Sequence, residues 1–335
     1  MLFRSPDDTP VGVPLVEVLG DYVLDFDIKG PFGHLQSVYG IAREVAVLYD
    51  RPLNTEPMAA MERLSMKSIE EAAFIALEIE DPDLCPRYTA TKIEDVEIGP
   101  APLWMQLRLQ RAGMRPINNI VDITNYVLWE LGQPLHAFDY DWLKPRDEGA
   151  EKPLIDVRRA REGEQMKTLD GTTRIFDDEM LLITDGSGPV AVAGVMGGLD
   201  SEVSEGTDDV LLESATFDFI SVRRTSQQLK LHTEASSHFG KRVDSELALV
   251  AAARAAELMA EIAGGSVVQV AGDLYPGVPE TRTLAYDPAL SDRILGIDVP
   301  REEQARVLKA LEFDVVEEAV PWTVTVPSYR LDRSE

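Results

Sequence analysis

Apolar residues change their spacing several times along this chain, and the order of those changes limits its fold more than any other feature. A short strand is expected over residues 22–28, followed by a loop at Lys29-Gly30-Pro31-Phe32-Gly33-His34. Val38, Ile41, Ala42, Val45, Leu48 and Tyr49 then recur at helical intervals and stop before Pro52. Residues 51–66 read as a linker. Ile75, Leu77 and Ile79 alternate with polar or small residues as a strand does, and residues 89–93 and 96–98 read as a returning hairpin. Helices are expected over 103–113 and 120–131, the second ended by Gly132 and Pro134. Short apolar runs at 154–157, 180–183 and 190–193, separated by Gly and Asp turns, make the middle of the chain strand-rich. Asp244 or Ser245 caps a long helix that reaches Ala263 and stops at Gly264-Gly265. After Pro276, Asp287-Pro288 opens a short helix, a second helix runs over 301–311, and Trp322, Val324 and Val326 alternate as a strand. Strands and helices do not alternate strictly, so the class is α+β and not doubly wound α/β.

A length of 335 residues implies about two domains or a few small ones. With 32 Lys+Arg against 59 Asp+Glu the formal charge is −27, which argues against unaided, non-specific nucleic-acid binding. A local basic patch or a basic partner remains compatible with it. Cys85 is the only cysteine, so neither an intrachain disulfide nor a multi-cysteine zinc site can form, as suits a reducing compartment. The first residues lack the apolar core of a secretion signal, and no apolar run approaches the ~20 residues that span a bilayer. A soluble, cytoplasmic protein without a membrane partner is expected.

Of the four histidines, His34, His136, His232 and His238, none forms an i, i+4 metal pair; His232 and His238 fall in an expected loop, and no metal site is assigned. Gly194-Val195-Met196-Gly197-Gly198 follows an apolar run but lacks the spacing of a nucleotide-binding loop. It allows either close backbone packing or backbone N–H groups aimed at a ligand. Residues 115–139 concentrate polar side chains that are costly to bury; Val121, Thr124, Asn125 and Leu128 share one helix face. Thr124 and Asn125 there need either a cap-and-core network or a ligand. Residues 221–242 hold Arg223, Arg224, Lys230, Lys241 and Arg242 against one acid, Glu234. This basic island is either a solvated surface or a phosphate contact.

Residues 115–139 and the segments Asp81-Pro82-Asp83-Leu84-Cys85-Pro86-Arg87-Tyr88, Thr168-Leu169-Asp170-Gly171, Ala193-Gly194-Val195-Met196-Gly197-Gly198, Leu211-Leu212-Glu213-Ser214-Ala215, His232-Thr233-Glu234-Ala235-Ser236 and Val326-Pro327-Ser328-Tyr329-Arg330 occur in an order that resembles the bacterial phenylalanyl-tRNA synthetase beta subunits. The resemblance runs from about residue 22 to 332. It implies a partial N-terminal helical domain over 1–55 and an editing domain of layered β/β/α form over 56–275. Residues 276–335 resemble part of a small domain with a DNA-binding-like helical or winged fold. The family's oligonucleotide-binding barrel, catalytic-like domain and C-terminal anticodon module have no counterpart in these residues, so the chain is expected to be a portion of a subunit. The implied partners are the alpha subunit, in a heterotetramer, and tRNA(Phe). No cofactor is implied in this portion; ATP and magnesium serve the whole synthetase, whose activation site is in the alpha subunit.

The resemblance also implies an activity, hydrolysis of mischarged tyrosyl-tRNA(Phe). Tyrosine is phenylalanine plus one hydroxyl, and an apolar pocket rejects an added hydroxyl by only about 100-fold. A second site that requires the hydroxyl does better, and a buried carboxylate suits it. Glu213 stands at the family position for that role, although its place between Leu211-Leu212 and Ala215 leaves a plain surface strand residue equally open. Ala193 and Gly194 match the pocket wall, Thr233 and Ala235 the far wall, and Arg115, Thr124, Asn125 and His136 the surroundings of the ester and terminal adenosine. A positioned water attacks, with His136 orienting or polarising it and a tRNA hydroxyl assisting; a purely structural His136 is the alternative, and a non-catalytic scaffold or tRNA-docking module is the alternative for the chain. Departures from the family are Gly240, where a glutamate is usual, and the loop over 29–34.

Overall fold

The computed structural model describes residues 12–14, 20–29, 32–147 and 149–332. Most of residues 1–20, with Gly30 and Pro31 of the expected loop, lie outside them. Residues 22–28 form no strand: among the described residues no segment supplies a ladder, and Tyr22 and Leu24 are 92% and 74% exposed. Helix α1 (Val38–Leu48) follows, with the Ser37 hydroxyl accepting from the Gly40 N–H at 2.9 Å. Its period is as expected but its buried face is not. Tyr39, Gly40, Arg43 and Val47 turn inward, while Val38, Val45, Leu48 and Tyr49 are exposed. The reason is a polar anchor: the Arg43 guanidinium lies 3.9 Å from the Tyr329 ring centre, tying α1 to the C-terminal segment.

The expected linker over 51–66 is instead ordered, with a 3-10 turn at Glu56–Ala59 and helix α2 (Ala60–Arg63), fully burying Ala60. Strands β1 (Lys67–Ile69), β2 (Ala76–Ile79) and β3 (Arg87–Glu94) come next. The expected return over 96–98 does not form; the Val96 N–H bonds to the Asp208 carbonyl instead. The partners of β3 come from far along the chain. Helices α3 (Leu103–Arg111) and α4 (Asn119–Leu131) lead to β4 (Leu135–Asp139). Asn118 caps α4, and Gly132 ends it at φ +93°, a conformation that suits glycine.

The strand-rich middle supplies β5 (Leu154–Arg159), β6 (Gln165–Lys167), β7 (Thr173–Ile175), β8 (Leu181–Asp185), β9 (Gly188–Val192), β10 (Met196–Gly197) and β11 (Val210–Thr216). Three helices follow: α5 (Phe219–Leu229), α6 (Glu234–Phe239) and α7 (Leu247–Ala263). Two more strands, β12 (Ser266–Val267) and β13 (Val270–Leu274), join the first sheet. That sheet has the order β1-β13-β3-β11-β4, with β12 beside β3, and a second has the order β10-β9-β8-β5-β2.

Alternation along β3, β4 and β11 sends their residues into two separate cores. Tyr88, Ala90, Phe138, Leu211 and Ala215 pack with Ile155, Val157, Leu182 and Val192 of the second sheet. Ile93, Ala137, Val210 and Leu212 pack with Met105, Ile123, Val127 and Met259 of the helices. The small residues Ala252, Ala255 and Ala256 let α7 approach closely. The C-terminal part is more than the expected helix, helix and strand: β14 (Thr283–Tyr286), α8 (Pro288–Leu295), α9 (Arg301–Ala310), β15 (Asp314–Val316) and β16 (Trp322–Thr325) build a three-stranded sheet beside two helices. Among the described residues, no helix is long and apolar enough to cross a membrane.

Candidate active site

Glu213 sits at the middle of β11, the strand between β3 and β4. It is 6% exposed and faces the core between the two sheets with its neighbours Leu211 and Ala215. A carboxyl there is costly unless partnered. Its hydrogen-bond partner is Tyr88 of β3, whose hydroxyl donates to Oε2 at 3.0 Å. Loss of water pushes the Glu213 carboxyl up from the ordinary 4.5 to about 8, against the pull of that hydrogen bond. At neutral pH the Glu213 carboxyl is therefore mostly the neutral acid. Burial, with Glu213 alongside, also raises Tyr88 well above its ordinary value, so its hydroxyl keeps its proton.

His136 is directly opposite Glu213 in the β4–β11 pair, so both side chains lie on one face of the sheet. Its Nε2 is enclosed and has no hydrogen-bond partner among the described residues. Burial lowers the imidazole from 6.5 to about 4, so it is neutral at pH 7. A neutral ring can orient a water, but it has no proton to spare as an imidazolium. Gly197 of β10 closes this place: a Cβ there would lie 2.5 Å from His136 Cε1 and 2.6 Å from Nε2. The imidazole occupies the space that any other residue would fill. The edge strands of the two sheets thus meet at His136 and Gly197.

Ala193 and Gly194 form the turn after β9. Gly194 takes φ +68°, and a Cβ there would come within 2.9 Å of Val222 and 3.1 Å of Phe217 and Phe239. Helices α5 and α6 therefore cover this turn. Thr233 fastens it, because its hydroxyl donates to the Val195 carbonyl at 2.8 Å while capping α6. Ala235 packs against the same inter-sheet core as Tyr88 and Ala193. Glu213, His136, Ala193, Gly194, Thr233 and Ala235 thus gather around one core.

Arg115, Thr124 and Asn125 are placed apart. Thr124 is buried on α4, whose apolar face belongs to the helical core, and its hydroxyl donates to the Val121 carbonyl one turn back. Asn125 is on the same helix, and Arg115 is exposed in the loop before it. Among the described residues no hydrogen bond joins these three to Glu213 or His136.

His238 is not in a loop. It is buried on α6, with Nδ1 2.9 Å from the Glu234 carbonyl and Nε2 3.1 Å from the Gln36 carbonyl. No metal-holding cluster of His, Cys, Asp and Glu occurs among the described residues. The basic island does gather in part: the guanidiniums of Arg223 and Arg242 lie 5.3 and 4.4 Å from the Phe219 ring centre.

Two residues of this site carried no role in the sequence reading. The period of β3 puts Tyr88 on the face of Ala90, but only the long-range pairing of β3 with β11 sets it beside Glu213. Gly197 sits in a glycine-rich motif, yet nothing local names the ring it faces.

Residues 84–264 match the model of the B3/4 domain family, and residues 285–334 match the tRNA synthetase B5 domain. Among curated relatives, the phenylalanine–tRNA ligase beta subunit of Moorella thermoacetica is 44% identical over 333 residues, which are 99% of this chain and 40% of that one. The beta subunit of Carboxydothermus hydrogenoformans is 42% identical over 336 residues, again 99% and 40%. That of Symbiobacterium thermophilum is 45% identical, covering 91% of this chain and 33% of that one. The chain therefore spans about 40% of the length of the first two. An N-terminal fragment of the phenylalanyl-tRNA synthetase beta subunit from Pyrococcus horikoshii superposes with a TM-score of 0.40 at 12% identity, covering 90% of this chain and 80% of that one, too loosely to carry residue roles across. With this domain over more than half its length and a B5 domain after it, the chain belongs to the B3/4 domain family as it occurs in phenylalanine–tRNA ligase beta subunits.

Proposed function

We propose that this portion hydrolyses the ester of mischarged tyrosyl-tRNA(Phe) and, within the whole subunit, supports the alpha subunit in phenylalanyl-tRNA synthesis in the cytoplasm. The observation that carries the reading is the pairing of Glu213 with His136 on one buried sheet face. Among the described residues, one is a carboxyl with a single phenol partner, and the other has an enclosed nitrogen with none. A buried polar group this poorly satisfied costs stability and is expected where a ligand completes it.

In the proposed reaction, the tyrosyl ring enters beside Ala193 and Gly194, with Thr233 and Ala235 on the far wall. Its hydroxyl meets Glu213, which rejects phenylalanine because an unanswered buried carboxyl gains nothing from a C–H. His136 orients the attacking water, and a hydroxyl of the tRNA assists. Arg115, Thr124 and Asn125 are assigned to the terminal adenosine and the ester. No cofactor takes part in this step; ATP and magnesium belong to activation by the whole synthetase. The editing unit is the layered β/β/α body over 56–275, flanked by the domains over 1–55 and 276–335.

The test is Glu213→Ala, assayed for release of tyrosine and of phenylalanine from tRNA(Phe). The reading expects the preference for tyrosine to vanish; an unchanged preference removes Glu213 from the site. A second reading, a tRNA-docking module without hydrolysis, is favoured by the cations at Arg223 and Arg242, which have no acidic partner among the described residues.

A further inference from the structure

The hydrogen bond within the site suggests how its specificity is set. Glu213 is built to receive a phenol, and it already holds one: the hydroxyl of Tyr88, donated to Oε2 at 3.0 Å. Tyr88 is opposite Ala215 and Glu213 is opposite Ala90, so the two side chains meet diagonally across β3 and β11 on the same face. Both are enclosed, with Tyr88 at 1% and Glu213 at 6% exposure, and neither can swing to water without opening the inter-sheet core. No other hydrogen bond to either carboxyl oxygen of Glu213 exists among the described residues. The other titratable side chains facing it are Cys85, whose thiol is held well up by burial and by Glu213, and His136, which burial lowers to about 4, so neither changes charge in step with it.

We propose that Tyr88 is the positioning residue of the specificity site: its hydroxyl occupies Oε2, fixes the rotation of the Glu213 carboxyl and leaves Oε1 as the one receptor for the hydroxyl of a tyrosyl ring. This rests on the editing reading above. Tyr88 touches no substrate and acts through Glu213. It does so in two ways. It removes the choice of oxygen, so that a second phenol finds one geometry. It also favours the ionised carboxyl, opposing the burial that drives the proton on. A charge-assisted bond to the tyrosyl hydroxyl is stronger than one to the neutral acid, so tyrosine preference rises with pH as Glu213 ionises, and Tyr88 sets where.

The experiment uses Tyr88→Phe, which keeps the ring and removes only the hydroxyl. The ratio of tyrosine to phenylalanine release from tRNA(Phe) is followed from pH 6 to 9.5, with the Glu213 carboxyl carbon titrated by NMR in the same proteins. A hydrogen bond to a charged group shifts such a titration by about 1 to 2 pH units. The midpoint therefore moves up by that amount in the variant, and the ratio at pH 7.5 falls by about tenfold. An unmoved midpoint overturns the proposal, because lost packing alone would lower activity without displacing the titration. A second measurement needs no variant: in the wild-type protein the ring carbon bearing the Tyr88 hydroxyl should titrate with the Glu213 midpoint, and two unrelated midpoints overturn the proposal equally. A wild-type protein with no preference at any pH refutes the editing reading itself. The two carbon titrations then still decide whether Tyr88 governs Glu213.

Discussion

Glu213→Gln separates the cost of the buried carboxyl from its shape. In the folded chain burial raises this group from the ordinary 4.5 to about 8. The folded state thus holds the proton more tightly than the unfolded state across that window. The contribution of this one group to stability is fully present below pH 4.5, declines as pH rises, and is lost above about pH 8. At about 1.4 kcal/mol for each pH unit, the upper bound is about 5 kcal/mol. Admitting water to the strand relieves part of this, so about 2 to 5 kcal/mol is expected. Glutamine keeps the volume and an oxygen for Tyr88 but cannot ionise. Its extra N–H groups add a penalty that does not vary with pH. Urea unfolding at pH 5 and at pH 9 should therefore show the variant gaining about 2 to 4 kcal/mol on the wild type between the two conditions, whatever the offset at pH 5. Parallel stability curves across this range would refute the argument that Glu213 is a desolvated acid.

Other outcomes follow from the same geometry. Gly197→Ala puts a Cβ against the His136 ring, so the ring must shift; tyrosine release should fall at least tenfold, with a stability loss of about 1 to 3 kcal/mol read by thermal unfolding. His136 is held below its ordinary value, so it opposes folding only in acid, as pH falls from 6.5 towards 4. His136→Gln should flatten that part of the pH–stability curve relative to wild type. If Arg223 and Arg242 contact the RNA backbone, changing both to glutamine should lower the salt dependence of single-strand RNA affinity by a slope of about 1.4, and an unchanged slope assigns them to solvent.

Much of the fold can be read locally, because local chemistry decides it. Asn118 before an apolar period and Gly132 after it bound α4, and Asp287-Pro288 opens α8. What could not be read locally depends on distant partners. Residues 22–28 have strand composition but, among the described residues, no strand beside them. The apolar period of α1 is real, but Tyr329, almost three hundred residues away, draws Arg43 inward and leaves Val45 and Leu48 outside. Val96 has strand chemistry, and its N–H is taken by Asp208. The site divides in the same way. Only the resemblance singles out Glu213, since its flanking leucines fit a surface strand equally well. Its burial, its bond to Tyr88 and its facing of His136 all come from the pairing of β11 with β3 and β4. The separation of Thr124 and Asn125 from that group likewise follows from which core α4 packs against.

The central claim is that the inter-sheet site recognises the tyrosyl hydroxyl and hydrolyses the ester. The most direct test is deacylation of tyrosyl-tRNA(Phe) by this chain, beside phenylalanyl-tRNA(Phe) and an uncatalysed control. The account predicts release of tyrosine well above the control while phenylalanine stays on. Equal release of both, or none above the control, would contradict it and leave the docking reading in its place.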